Sequence, residues 1–431
     1  MPSTSWGALP WPAAAAEVDC LRRSALLPDV PETLIPYGNG RSYSDVCLNP
    51  GGGLLRTRGL DRFIDFDAER GILRCEAGVL LAEILDFIVP RGWFLPVTPG
   101  TRYITVGGAI ANDVHGKNHH AAGSFGDWVR SFELLRSDGT RRCCSAEENP
   151  GWFAATIGGL GLTGLIVWAE LQLKAVQTAG MDVHYRRFSG LDEFFELNAA
   201  AEREHEYAVA WIDCLAATPR GVLMSGDHAR EMRRPPRGRM SDPPRLGIPF
   251  APPFSAINRA SLKLFNCLYY RKPWPSQARV PAAPYFYPLD ALGHWNRIYG
   301  KRGFYQYQCV IPPRDAPEAI AGILRIIAKS GQGSFLAVLK TFGERPARGM
   351  LSFPMPGTTL ALDFPNRGEA TLSLFARLDE VVASTGGRLY PAKDARMPGT
   401  LFRSAYPRLE EFRAYVDPKF SSGFWRQVSD S

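Results

Sequence analysis

The 431-residue sequence predicts an α+β fold in two parts, and three observations carry that expectation. The first 175 residues are glycine-rich and dominated by short strand-like runs. Beyond Lys174 the texture changes to strands mixed with amphipathic helices, the pattern of a sheet covered on one face. The length exceeds one ordinary domain of about 150 residues, and with 45% hydrophobic and 22% charged residues the chain can bury a large core.

In the first part, Leu80 to Val89 reads as a helix stopped by Pro90 and Gly92. Phe132–Leu135 followed by Ser137-Asp138-Gly139 reads as a strand entering a hairpin turn. Gly151 to Ala169 carries no charge, but its repeated glycines and short length predict a buried strand–turn–strand, not a membrane span. In the second part, Leu191 to Glu204 is predicted helical and Ala208–Ile212 a strand, followed by a Pro/Arg-rich stretch to about Pro253. A helix opens at Pro317, a residue suited to the first helical position. It runs to Ala328 and carries Ile320, Ile323, Leu324 and Ile327 at helical spacing, with Gly331 just past its end. Another carries Leu374, Phe375, Leu378, Val381 and Val382 and stops at Gly386-Gly387. Strands are expected at Gln306–Ile311, Phe335–Leu339 and Thr359–Phe364, and a short amphipathic helix (Leu409, Phe412, Val416) precedes Asp417-Pro418.

The net charge of +7 is concentrated between Arg230 and Arg245, where Arg233, Arg234, Arg237 and Arg239 stand among prolines. Proline interrupts helix and strand alike, so this is a loop: a solvated one, or a patch for lipid headgroups or a phosphorylated substrate. No nucleic-acid-binding motif accompanies the charge. Eight scattered cysteines without a CxxC pair predict neither a disulfide framework nor a zinc site, and favour a reducing compartment. No basic region followed by an apolar run marks the N-terminus, so no secretory signal is expected.

Two constellations carry the chemistry. In Pro36-Tyr-Gly-Asn-Gly-Arg-Ser-Tyr-Ser-Asp45, Gly38 and Gly40 permit close backbone approach, letting successive N–H groups, with the Ser42 hydroxyl, cradle an anionic oxygen. An ordinary tight turn is the alternative for this segment alone. The second constellation runs from Pro99 to Gly126. Small residues from Thr105 to Ala111 leave room for a flat ligand, and Asn112, His115, Lys117 and Asn118 then converge. A metal site using His115, His119 and His120 is not expected, because adjacent histidines point different ways and no carboxylate completes a ligand set. Gly159-Leu-Gly161-Leu-Thr-Gly164 matches the dinucleotide fingerprint GxGxxG literally. That fingerprint must open a helix, whereas Leu165 to Leu173 reads as a strand, so a Rossmann site is excluded.

These segments together resemble the vanillyl-alcohol-oxidase-type (PCMH-type) FAD-binding oxidoreductases. Within them the chain is more narrowly similar to the decaprenylphosphoryl-β-D-ribose 2′-oxidase family. The run from Val106-Gly-Gly-Ala-Ile-Ala to Gly126 carries the likeness. It continues through Tyr287-Pro-Leu-Asp290, Trp295-Asn296, Gln306-Tyr-Gln308, Leu351-Ser-Phe-Pro354, Asp363-Phe-Pro365 and Gly387 to Asp394. The resemblance implies a two-domain FAD-binding fold with an inserted sheet-plus-helices substrate domain. Its parts would be residues 1–175 for FAD, 176–387 for substrate, and 388–431 returning to the FAD domain. It implies oxidation of the 2′-hydroxyl of a polyprenyl-phosphoryl ribose, the first half of an epimerisation to the arabinose donor for cell-wall polysaccharide. A separate NAD(P)H-dependent short-chain reductase would complete the conversion. The alternative is a related FAD enzyme acting on a soluble alditol, aldonolactone or other sugar alcohol; a flavin-binding scaffold without turnover is a third class. A polyprenyl substrate implies a cytoplasmic protein with peripheral contact at the inner face of the membrane.

By the same resemblance, Lys393 and His115 are the candidates near the reacting carbinol. A buried lysine with a lowered pKa could accept the hydroxyl proton; charged, it could stabilise developing negative charge. The cofactor residues would be Gly38, Asn39, Gly40, Arg41, Ser42, Tyr43, Gly100, Thr101, Gly107, Gly108, Ala111, Asn112, His115, Gly116, Gly161, Gly164 and Tyr390. Substrate would meet Lys117, Trp211, Gln308, Lys340, Asp363 and Lys393. In many relatives a histidine after the second loop glycine bonds the flavin; Arg41 holds that slot here, so FAD is expected to bind non-covalently. The family's mycobacterial members carry a cysteine where this chain has Ala361 and, two residues earlier, an asparagine where it has Thr359. That cysteine is the one captured by nitro-aromatic covalent inhibitors.

Overall fold

The computed structural model describes residues 3–30, 32–232 and 239–429. Of the arginines singled out in the Pro/Arg-rich stretch, Arg233, Arg234 and Arg237 lie outside the described residues.

Three sheets organise the chain. Ala16–Asp19 (β1), Leu34–Tyr37 (β2) and Gly53–Arg56 (β3) form a parallel sheet in the order β1-β3-β2. Parallel neighbours need a crossover, and the crossover from β2 to β3 is the first glycine-rich loop. Phe63–Asp67 (β4), Ile72–Glu76 (β5), Val129–Leu135 (β6), Arg141–Ser145 (β7) and Leu165–Gln172 (β8) form an antiparallel sheet in the order β4-β5-β8-β6-β7. Against it lie the helices Leu81–Ile88 (α1), Val106–Ala111 (α2) and Pro150–Thr156 (α3). The expected helix ending near Gly92 is α1 with a short 3-10 turn, and Gly92 adopts φ 82° at its end.

The segment Gly151 to Ala169 corrects the sequence reading. It begins as the helix α3, with Pro150 in the first turn, and becomes strand only at Leu165. Alternating glycines masked a short helix that proline at its start and Ala154-Ala155 within it support. The GxGxxG glycines do lead into strand β8, with Gly161 at φ 79° and Gly164 at φ 139°.

The largest sheet has eight strands. These are Gly180–Ser189 (β9), Tyr207–Ile212 (β10), Arg220–His228 (β11), Gln277–Pro281 (β12), Phe304–Ile311 (β13), Ala337–Phe342 (β14), Gly357–Pro365 (β15) and Arg388–Leu389 (β16). Their order is β12-β9-β11-β10-β14-β15-β13-β16, antiparallel throughout. The helices Leu191–Glu204 (α4), Ala316–Ser330 (α6) and Glu369–Ser384 (α7) pack on one face. The stripe Ile320, Ile323, Leu324 and Ile327 is buried there, each side chain contributing about 1.5–3 kcal/mol by leaving water.

The two-residue period of a strand then sorts the chemistry. Ile212, Tyr307, Cys309, Leu339, Leu360 and Leu362 join the core under the helices. Their neighbours Trp211, Gln306, Gln308, Lys340, Thr359 and Ala361 line a cavity on the opposite face. Beyond β16, Tyr390, Ala392 and Lys393 also reach this cavity, after which the chain packs back onto its beginning. There Asp417 N donates to Leu162 O at 2.8 Å, Ser421 N to Leu34 O at 2.9 Å and Gly423 N to Leu48 O at 3.0 Å.

Candidate active site

The two glycine-rich segments cross. A Cβ on Gly38 would lie 2.4 Å from Thr105 Oγ1, so the loop backbone rests directly on the start of α2. Gly40 takes φ 59°, and a Cβ there would meet Tyr37 Oη at 2.2 Å. The crossing is pinned by Asn39 Nδ2 donating to Tyr103 O at 2.7 Å. On the other side, Thr105 Oγ1 accepts from Gly108 N at 3.1 Å and caps α2. Arg41 lays its guanidinium over Trp6, 4.1 Å from the ring centroid, and at 5.6 Å from that of Tyr103.

The C-terminal segment closes the site. Tyr43 N donates to Ala392 O at 2.9 Å, and Lys393 Nζ lies 4.0 Å from the centroid of the Tyr43 ring. Tyr390 Oη donates to Asn112 O at 2.8 Å, and its ring stacks on Phe353 at 4.7 Å. His115 is enclosed by Phe342, Phe353 and Tyr390, with ring centroids at 4.9, 5.6 and 5.3 Å.

These pieces enclose a cavity of about 600 Å³. Its lining takes in both glycine-rich segments, Lys117 among them, with Gly161 and Gly164, together with Trp211, Gln308, Lys340, Tyr390 and Lys393. Asp363, placed among the substrate residues on resemblance, stands one layer back instead. It is fully buried in β15 and accepts from Gln306 Nε2 at 2.5 Å. His119 and His120 also turn away from the cavity: His119 Nδ1 accepts from Gly343 N at 3.2 Å, and His120 Nε2 pairs with His205 O at 3.1 Å.

Burial governs the electrostatics. It pulls Lys117 and Lys340 down to about 7, and for Lys340 the neighbouring charges of Lys117 and Lys393 add to the effect. Lys393 falls only to about 8, because the Asp363 carboxylate opposes the cost of burial. Lys340 Nζ donates to Gly116 O at 2.6 Å, and Lys117 Nζ to Tyr285 O. His115 is held well below the ordinary imidazole value, by burial first and then by Lys340, His119 and Lys393. The lining therefore gathers three ammonium groups that burial disfavours, an arrangement an incoming anion would relieve.

The cradle also suits a flavin dinucleotide. Arg41 Nε, Asn112 Oδ1 and His115 Nδ1 are buried at the cavity without a protein partner among the described residues. Residues 15–145 match the family model described as an FAD binding domain. Decaprenylphosphoryl-β-D-ribose oxidase of Mycolicibacterium smegmatis is 38% identical over 412 residues, covering 92% of this chain and 89% of the relative.

The chain belongs to the decaprenylphosphoryl-β-D-ribose oxidase family. Like that family it is an FAD-dependent oxidoreductase, and Gly38, Gly40, Gly107 and Gly108 are where this oxidase chain keeps side chains clear of the cavity floor. An uncharacterized protein of the mprA 5′ region in Streptomyces coelicolor is 35% identical over 81% of this chain and 100% of its own length. Alditol oxidase of a Streptomyces species is more distant, 26% identical over 91% of this chain and 89% of its own. Among the described residues of the oxidase chain, no helix is long and apolar enough to cross a membrane.

Sequence reasoning missed several lining residues. Trp6 precedes every motif, and Cys47 lies just past the first. Asp290 was visible only within a quoted motif; it lines the cavity and accepts from Arg102 N at 2.9 Å. Thr359 and Ala361, singled out in the sequence as departures from the mycobacterial members, both line the cavity from alternate positions of β15.

Proposed function

We propose that this chain oxidises the 2′-hydroxyl of a polyprenyl-phosphoryl ribose to the ketone. The observation that carries the proposal is the meeting of Lys117, Lys340 and Lys393 with His115 in one cavity beside the flavin cradle. FAD, when bound, supplies the hydride acceptor. Lys393 takes the hydroxyl proton: burial brings it down to about 8 and it stands over Tyr43 of the first glycine-rich loop, whereas His115 is held too low to be an effective base. Lys117 and Lys340 bind the phosphate of the substrate, whose charge offsets the cost of keeping them protonated in a buried site. Gln308 and Trp211, on the sheet floor, orient the sugar. Support for this substrate comes from the mycobacterial relative's name and from the cationic lining.

We further propose non-covalent FAD, because Arg41 stands where a bonding histidine would and its guanidinium is engaged over Trp6. Residues 1–175 with 388–431 would be the flavin unit and 176–387 the substrate unit. A separate NAD(P)H-dependent short-chain reductase would consume the ketone, and a lipid-borne substrate would keep this protein at the inner, cytoplasmic face of a membrane.

Anaerobic mixing of the yellow holoenzyme with short-chain prenyl-phosphoryl ribose tests the reaction. Bleaching by that compound at far lower concentration than by free polyols is the expected result; bleaching by polyols alone would assign the chain to soluble sugar alcohols. Acid precipitation tests the linkage: the flavin should leave with the supernatant, and a yellow, fluorescent pellet would refute non-covalent binding.

A further inference from the structure

Among the described residues nine large hydrophobic side chains are exposed, and six of them fall in one stretch: Leu246, Phe250, Phe254, Leu264, Phe265 and Leu268. Three belong to the helix Arg259–Arg271 (α5), which is well made: Asn258 Oδ1 accepts from Ala260 N and Ser261 N, both at 3.0 Å. Yet its apolar stripe faces outward. Leu264 and Leu268, one turn apart, are each 63% exposed, while the helix buries Leu262 and Asn266.

Helix and preceding loop rest on one aromatic support. Phe265 packs edge-on against Phe335 at 5.7 Å, and Phe335 stacks with Tyr299 at 6.2 Å. Beside Tyr299, Ile298 O accepts from Ala256 N at 3.0 Å, and Arg297 Nη1 donates to Ile248 O at 2.8 Å. The same stretch adjoins the cavity, since Pro243, Pro244 and Tyr269 line it. Its charge is one-sided: from 239 to 272 the chain has six basic residues and a single acid, Asp242.

We propose that the face formed by α5 and the 246–254 loop docks on an anionic lipid bilayer. Its exposed leucines and phenylalanines enter the boundary between headgroups and acyl chains, and Arg245, Arg259, Lys263, Arg271 and Lys272 meet anionic headgroups. An apolar face edged with basic residues matches that surface, whereas a neutral apolar partner would leave the charges unused. The proposal rests for its purpose on the reading of a lipid-borne substrate: docking here brings a cavity wall to the bilayer from which a prenyl chain would be drawn.

The test is sedimentation of the full-length, FAD-loaded protein with vesicles of phosphatidylcholine alone or mixed with phosphatidylglycerol, without substrate. Native protein should sediment with the mixed vesicles and be released by salt. Leu264→Ser with Leu268→Ser, and separately Lys263→Glu with Arg271→Glu and Lys272→Glu, should each weaken binding by roughly a hundredfold. Flavin bleaching by the short-chain substrate should be unchanged in both. Native protein that ignores anionic vesicles, or variants that bind as native, would overturn the surface while leaving the substrate reading intact. Absence of bleaching in every protein, native included, would strike the substrate reading and spare the surface. A native dimer dissolved by the leucine substitutions would overturn the proposal by assigning the face to a second copy of the chain.

Discussion

Gln308 Nε2 and His115 Nε2 lie 3.0 Å apart, joining strand β13 to the second glycine-rich segment. A carboxamide nitrogen only donates, so His115 Nε2 accepts and its proton sits on Nδ1, which has no protein partner among the described residues. The same Gln308 nitrogen also donates to Thr359 Oγ1 at 3.2 Å, which fixes the amide's orientation.

Replacing Gln308 by Leu removes the donor that sets the His115 tautomer. Flavin reduction should slow by about 10- to 100-fold, as for a misoriented catalytic group. Flavin content should stay unchanged. Anaerobic stopped-flow measurement of flavin bleaching checks both, and an unaltered rate would remove Gln308 from the reaction.

Stability should rise with pH between about 7 and 8.5 in the absence of substrate. Unfolded lysines hold their protons to about 10.4, whereas folded Lys117 and Lys340 release theirs near 7 and Lys393 near 8. The unfolded state therefore binds more protons across this window, which makes the slope positive, at most about 1.4 kcal/mol per pH unit for each lysine. Asp45 and Asp363, raised to about 7, act with the opposite sign on the acid side. Lys340→Met should flatten the rise in melting temperature across the window; a slope identical to native would contradict the shift.

Gly40→Ala should cost the protein its flavin. The substitution places a side chain at φ 59° and against Tyr37 Oη, a strain of about 1–3 kcal/mol that lowers affinity for the cofactor roughly tenfold or more. The ratio of flavin to protein absorbance after gel filtration reads this directly.

Ala361 sits opposite Gln308 on the neighbouring strand and lines the cavity. With no thiol there, a nitro-aromatic covalent inhibitor should leave the mass of the native protein unchanged. Ala361→Cys should gain the adduct in intact-mass spectra without losing turnover, since hydride transfer needs no sulfur at that position.

The helices most legible in the sequence were those that bury a stripe. Leu191–Glu204 has the expected bounds, and the helix expected from Pro317 begins one residue earlier. The helix Arg259–Arg271 escaped notice for the opposite reason: its apolar residues face out, and the prolines before it read as loop. At the site, the strand after Gly164 was enough to set the GxGxxG glycines apart from a Rossmann turn, whereas the flavin itself was implied by the resemblance. Asp363 could not be ranked correctly, because whether a strand residue lines a cavity or stands behind it depends on which neighbour crosses in front, and that is set by contacts far apart in the chain. Trp6 under Arg41 and Tyr43 under Lys393 are contacts of the same kind.

The contact of Lys393 with Tyr43 carries a consequence for biosynthesis. The two residues are separated by most of the chain. During translation the flavin loop emerges long before the lysine proposed to work beside it. A chain ending before Lys393 would lack both the proposed base and the C-terminal segment that packs on Leu34, Leu48 and Leu162, so base and finished cradle would arrive together.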